Sequence, residues 1–115
     1  MIIADKELLS EAIYNIINNA IEATKGIEHP HVEVRVQALR ARVMISIRNN
    51  GPAIPEKIQQ QLFQPFTTTK NTGSNWGLGL FYTHMIIKMH FGEIQLESNP
   101  ELTEFMVMLP KNRVR

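Results

Sequence analysis

Apolar and polar positions outline the elements of this chain. After Asp5, Leu9, Ala12, Ile13, Ile16, Ile17 and Ala20 recur at helical spacing, while Glu11, Asn15, Asn18, Asn19 and Glu22 gather on the opposite face. Asp5 suits an N-cap, Lys25 suits a last turn, and Gly26 followed by Pro30 marks a stop, so a helix is predicted from Asp5 to about Gly26. The period then changes to two. Val32, Val34, Val36 and Ala38 alternate with Glu33, Arg35 and Gln37, and Val43, Ile45 and Ile47 alternate with Met44, Ser46 and Arg48. Only Leu39-Arg-Ala-Arg42 separates these two half-buried strands, which predicts an antiparallel hairpin.

Asn49-Asn-Gly51-Pro52-Ala-Ile-Pro55 is a dense turn signal, and Pro55 opens a short helix to about Phe63. From Gln64 to Gly77 neither period is present, and a loop of that length in a small domain is usually functional or disordered. Leu78, Phe81, Tyr82, Met85 and Met89 then recur at helical spacing and predict a second core-facing helix, with Gly92 as its C′ stop. Two alternating strands, Glu93–Ser98 and Thr103–Leu109, flank the turn at Asn99-Pro100. This order predicts one α+β domain over residues 1–115: a two-layer α/β sandwich with a mostly antiparallel or mixed sheet and helices on one face. The alternation in all four strands leaves the other face open to water or a partner.

Composition narrows the function classes. With 43% hydrophobic residues, 20% charged residues and a net charge of +1, the chain is a folded domain with no electrostatic case for nucleic acid. Its local basic run, Lys111-Asn-Arg113-Val-Arg115, reads as a solvated end. The absence of cysteine excludes disulfides, thiolate zinc sites and a cysteine nucleophile, and fits a reducing cytosol. No apolar run approaches the roughly 20 residues of a membrane span, and Met1-Ile-Ile-Ala-Asp5 lacks a signal-peptide layout. A cytoplasmic location without direct membrane contact is expected, with a place as the cytoplasmic part of a membrane sensor left open.

Glu11, Asn15 and Asn19 stand at i, i+4 and i+8, so their oxygens point together. Such a stripe is either a solvated helix face or the wall of a polar site. Mg²⁺ is typically held by one or two protein oxygens together with substrate phosphates, which makes a metal–nucleotide pair one candidate tenant. Gly51 and Pro52 lead from a strand into a tight turn, where a small residue lets a flat ligand approach. Gly77-Leu78-Gly79 opens a helix, whose free N–H groups and dipole favour phosphate.

Taken together these segments resemble the catalytic, ATP-binding domain of sensor histidine kinases, a branch of the GHKL superfamily. Asn15-Ile-Ile-Asn-Asn19-Ala-Ile-Glu-Ala is similar to its N box, and Asn49-Asn-Gly-Pro-Ala-Ile-Pro to its first glycine box. Phe63-Gln-Pro-Phe-Thr-Thr-Thr-Lys70 is similar to its F box and Gly77-Leu-Gly-Leu80 to the end of its second glycine box; Ile94–Ser98 and Phe105–Pro110 fit its closing strands.

The resemblance implies ATP and Mg²⁺ as cofactors. By it Asn19 would hold Mg²⁺ on the phosphates with Asn15 beside it, and Glu11 would orient water or the metal's outer shell. Asn49 would meet the adenine amino group and Gly51 would admit the base. Residues 65–77 would form the ATP lid, anchored by Phe63 and Phe66, and Gly77 and Gly79 would give N–H groups to phosphate. Ala53, Ile54, Thr68, Lys70, Leu78 and Thr103 complete the nucleotide-binding set. The family passes the γ-phosphoryl group to a histidine on a separate dimerisation domain and from there to a response regulator. None of His29, His31, His84 and His90 stands in the sequence context of that acceptor.

The chain also departs from the pattern. Asn49 replaces an aspartate, Ala53 a glycine, Asn75 and Trp76 the usual Gly-Thr, and Leu102 the glycine before Thr103. A carboxylate accepts a charge-assisted bond of roughly 1.5–3 kcal/mol where a neutral amide gives about 0.5–1.5 kcal/mol, so weaker and less selective base binding is expected. Two functions stay open: an active histidine kinase catalytic domain, and a degenerate GHKL module acting in docking or regulation.

Overall fold

The structure, a computed structural model, describes residues 5–62 and 80–111. Helix α1 (Lys6–Ala23) begins where the sequence marks it, with the Asp5 carboxylate accepting the Leu8 N–H at 3.0 Å. It ends at Ala23, three residues before Gly26, which turns the chain at φ +82°. The hairpin of β1 (Val32–Ala38) and β2 (Arg42–Asn49) follows, then a single-turn α2 (Glu56–Gln61) opened by Pro55. Helix α3 (Leu80–Met89) leads into β3 (Glu93–Ser98) and β4 (Thr103–Pro110). Between these strands the Asn99 carboxamide oxygen accepts the N–H groups of Glu101 and Leu102, fixing a tight turn.

The strands form one antiparallel sheet in the order β1-β2-β4-β3. Central β2 and β4 present Ile47, Phe105, Val107 and Leu109 to the core, where Ala12, Ile16 and Ala20 of α1 and Leu80, Ile86 and Ile87 of α3 meet them. Burying each such large side chain stabilises the fold by about 1.5–3 kcal/mol, and the alanines at 12 and 20 let α1 lie close. The α+β two-layer arrangement read from the sequence is the one observed, and among the described residues every strand pairing is antiparallel.

Helix α3 turns a different face inward from the one its spacing suggested. Leu80, Thr83, Ile86 and Ile87 are buried, whereas Tyr82, Met85 and Met89 point outward, Met89 being 60% exposed. Leu78 lies outside the described residues. The helix is apolar around most of its circumference, so period alone offers two registers, and compact Leu, Thr and Ile side chains win the tight seat against α1 and the sheet. Its end also differs. Phe91, not Gly92, takes the left-handed conformation, with φ +65°, and closes the helix through Phe91 N–H to Lys88 O and Gly92 N–H to Ile87 O.

β1 is less buried than its alternation predicted. It lies at the edge of the sheet, α1 sits mainly over β2, and Val36 is left 67% exposed. Beside it an apolar groove runs along α1, lined by Leu9, Ile13, Tyr14, Ile17, Ile45 and Leu109. On the opposite, helix-free face, Ser46 donates to the Glu104 carboxylate and Arg48 Nε donates to the same oxygen at 3.2 Å. The Ser46 hydrogen bond and then Arg48 hold the Glu104 carboxyl below its usual range, against the upward push of burial.

Candidate functional site

The antiparallel register brings the candidate base-reading residues together. Asn49 ends β2 directly opposite Thr103, which begins β4, and Thr103 is in turn opposite Ser98. All three thus stand at one end of the sheet, below the last turns of α1. There the side chains of Asn19, Ala23, Asn49, Pro52, Ile54, Leu62, Leu80, Thr103 and Phe105 line a narrow cleft whose free volume is only about 10 Å³. Its lining is mostly apolar with a few convergent polar groups, as small-molecule sites usually are.

The polar groups are held from behind. Ser98 Oγ accepts the Ile54 N–H at 2.9 Å and shares a 2.6 Å hydrogen bond with Thr103 Oγ1, while Gln59 Nε2 donates to Ile54 O at 2.7 Å. Asn49, only 2% exposed, accepts the Gly51 N–H on Oδ1 at 2.8 Å. Gly51 is packed beneath α1: a Cβ there would lie 2.4 Å from Ala23 O, closer than any real contact. Glycine is therefore required for the turn to pass under the helix, whatever else occupies the cleft. Asn50 fastens the same turn outward, accepting from His31 N–H and donating to His29 O.

The polar stripe of α1 divides. Asn15 turns toward α3, its amide donating to Thr83 Oγ1 at 3.4 Å. Asn19 faces the cleft with a buried Nδ2 that has no hydrogen-bond partner among the described residues. A buried N–H of this kind costs about 1–3 kcal/mol unless water or a ligand accepts from it. Glu11 and Asn18 are exposed, and neither lines the cleft. Ala53 is half-buried beside the lining residues Pro52 and Ile54 without lining the cleft itself. Phe66, Thr68, Lys70, Gly77, Leu78 and Gly79 lie outside the described residues, as do Phe63 and the expected lid.

Four wall residues were not singled out as site residues by the sequence, Ala23, Leu62, Leu80 and Phe105, and Pro52 was named only for its turn. Their spacing marks them as core or turn, and nothing in it says that the core opens at this end. Among the described residues no group of three or more His, Asp or Glu side chains could hold a metal, so a cation here would depend on carboxamide oxygens and on its own ligands. No helix among them is long and apolar enough to cross a membrane.

Of the α1 polar stripe, Asn19 alone meets the ends of β2 and β4 at this cleft, beside the Gly51 turn. Residues 4–113 match the model of the family described as histidine kinase-, DNA gyrase B- and HSP90-like ATPases. The chain belongs to this family. The C4-dicarboxylate transport sensor protein DctB of Rhizobium meliloti (strain 1021) is 34% identical over 103 residues, which cover 90% of this chain and 16% of that protein. Among solved structures, the nucleotide-free catalytic domain of histidine kinase ThkA superposes with a TM-score of 0.84 at 33% identity, covering 97% of this chain and 73% of that one. Histidine kinase ThkA in complex with response regulator protein TrrA gives 0.76 at 29% identity, over 96% of this chain and 30% of that one. The α+β fold is thus that of the histidine kinase ATPase domains, while the chain spans only a small part of a sensor such as DctB.

Proposed function

We propose that this chain is the ATP-binding catalytic domain of a sensor histidine kinase, which positions Mg-ATP so that the γ-phosphoryl group passes to a histidine on a separate helical dimerisation domain. The observation that carries this reading is the unpartnered amide of Asn19, buried at the cleft. Its Nδ2 would donate to a phosphate oxygen or metal-bound water, and its Oδ1 is a suitable ligand for a hard cation. Mg²⁺ would supply charge neutralisation on the phosphates. Asn15, hydrogen-bonded to Thr83, would keep the wall in register, and Glu11, exposed one turn earlier, would orient water or the metal's outer shell.

The phosphoryl acceptor has to come from outside this chain. His29 and His31 are exposed around the entry to β1, and His90 is buried with both ring nitrogens engaged. Burial, then Lys88, pulls the His84 pKa below its ordinary value, which favours the neutral ring on the side of α3. A histidine-bearing dimerisation domain, and through it a response regulator, are the partners this reading requires, in the cytoplasm where ATP is supplied.

A second reading, a docking or regulatory module with weakened nucleotide binding, draws on Asn49 in place of the family's aspartate. Calorimetric titration with Mg-ATP separates the two, together with transfer of labelled γ-phosphate to the parent kinase's dimerisation domain supplied as a second polypeptide. Millimolar or tighter binding with label on the histidine is expected. Absence of both for wild type and for Asn49→Asp would remove the kinase reading.

A further inference from the structure

From the hydrogen bonds behind the cleft we infer that Ser98 is a positioning residue for the nucleoside end of the ligand. Its one hydroxyl holds two lining residues from separate segments, Ile54 and Thr103, in their relative places. This inference rests on the proposed nucleotide site. Ser98 Oγ accepts the Ile54 N–H at 2.9 Å and lies 2.6 Å from Thr103 Oγ1. Both partners line the cleft, whereas Ser98 stands behind them.

The segment that carries Ile54 has few other holds. Residues 52–55 read Pro-Ala-Ile-Pro, and a proline has no N–H, so this stretch owns two backbone donors, those of Ala53 and Ile54. The second of them goes to Ser98. The stretch belongs to no strand, so no ladder fixes Pro52 and Ile54 against the sheet, although both line the cleft. Gln59 Nε2, on α2, donates to Ile54 O at 2.7 Å and takes the other polar group of that residue's backbone. Ile54 is thus clamped between Ser98 and Gln59.

The second wall is tied in through the sheet. Ser98 is opposite Thr103 in the β3–β4 ladder, and Thr103 is opposite Asn49 in the β2–β4 ladder. The row Ser98, Thr103, Asn49 therefore crosses the sheet to the residue that the proposed reading sets against the base. Asn19, which that reading sets against the phosphates, lies on α1 outside this row. Loss of the Ser98 hydroxyl leaves the Ile54 N–H without its acceptor and frees that wall, while the α1 wall keeps its place. Such a change separates base affinity from phosphate affinity, which a general loss of stability does not do.

Titration of the full chain with Mg-ATP and with Mg²⁺-tripolyphosphate, which carries phosphates without a base, tests this at a temperature where every variant is folded. Ser98→Ala is expected to bind Mg-ATP at least about five-fold more weakly than wild type and tripolyphosphate within about two-fold of it. Ser98→Thr keeps the hydroxyl and should recover most of the ATP affinity. Where tripolyphosphate binds too weakly to read, that recovery decides. Gln59→Ala loosens Ile54 from its other side and should weaken Mg-ATP in the same selective way, which serves if Ser98→Ala folds poorly. Unchanged ATP affinity in these alanine variants, equal losses for both ligands, or no recovery with Ser98→Thr overturns the positioning role while leaving the nucleotide site in place. Failure of wild type to bind Mg-ATP overturns the site as well.

Discussion

His90 Nε2 accepts the backbone N–H of Asp5 at 2.9 Å, so the end of α3 holds the residue that caps α1. The other ring nitrogen, Nδ1, lies 2.8 Å from the Ile86 carbonyl and has to carry the proton, because a carbonyl only accepts. The two helices that bear Asn15 and Thr83 are thereby pinned at one end. His90→Ala is expected to destabilise the domain by about 1–3 kcal/mol, the usual cost of leaving backbone groups without their partner. His90→Gln, whose Oε1 can still accept from Asp5, should recover part of that loss. Urea denaturation of the three proteins measures it, and equal losses for Ala and Gln would show that packing rather than acceptance is what His90 provides.

Phe91 takes the left-handed C′ position that the sequence assigned to Gly92. A Cβ on Gly92 would meet Met108 O at 2.4 Å and Leu109 Cδ2 at 2.8 Å, so Gly92→Ala has to displace central strand β4. A loss of about 1–3 kcal/mol is expected, as for other overpacked sites. Phe91, at φ +65° and largely exposed, is strained by its own Cβ. Phe91→Gly removes that strain and should stabilise the domain by up to about 1 kcal/mol. Thermal melting of both variants gives the signs, and a destabilised Phe91→Gly would mean that the ring's contacts outweigh its backbone strain.

Most of the architecture was legible because local signals agree with the tertiary structure. Asp5 caps, Pro55 opens a turn of helix, and alternation puts Ile47, Phe105 and Val107 on one face. The misread parts are those where a local pattern permits two answers. On α3 both stripes are apolar, and only the presence of α1 and the sheet selects Ile86 and Ile87 over Met85 and Met89. On β1 the valines alternate as in a buried strand, but edge position leaves Val36 uncovered, which no local pattern encodes. At the cleft, the motif residues Asn19, Asn49, Ile54 and Thr103 line one wall and Gly51 shapes the turn beside it. The apolar wall and the direction of each amide depend on packing across distant segments.

Glu104 ties stability to pH. Its folded-state pKa is depressed, chiefly by the Ser46 hydroxyl and then by Arg48, below an ordinary value of 4.5. The unfolded chain therefore takes up this proton at higher pH than the folded one. The stabilisation is present above the unfolded value and is lost as pH falls through the folded one. Glu104→Gln should be less stable than wild type at pH 7, with a gap that narrows below about pH 4.5 and closes in stronger acid. Urea titrations at several pH values follow the gap, and a constant difference between the two proteins would assign the effect to shape instead of charge.

Asn19 and Asn15 should respond in opposite ways to the same truncation. Asn15→Ala removes the donor to Thr83 Oγ1, a fully buried hydroxyl, and is expected to cost about 1 kcal/mol of stability. Asn19→Ala removes a buried N–H that has no partner among the described residues and replaces asparagine by the best helix former. Stability should therefore hold or rise by up to about 1 kcal/mol, as expected where a desolvated orphan is deleted. Affinity for Mg-ATP should fall at least about ten-fold in the same variant, because the deleted amide is the group reserved for the ligand. Denaturation and titration on one preparation read both quantities. A stability loss with unchanged affinity would make Asn19 a structural residue and remove the observation on which the nucleotide site rests.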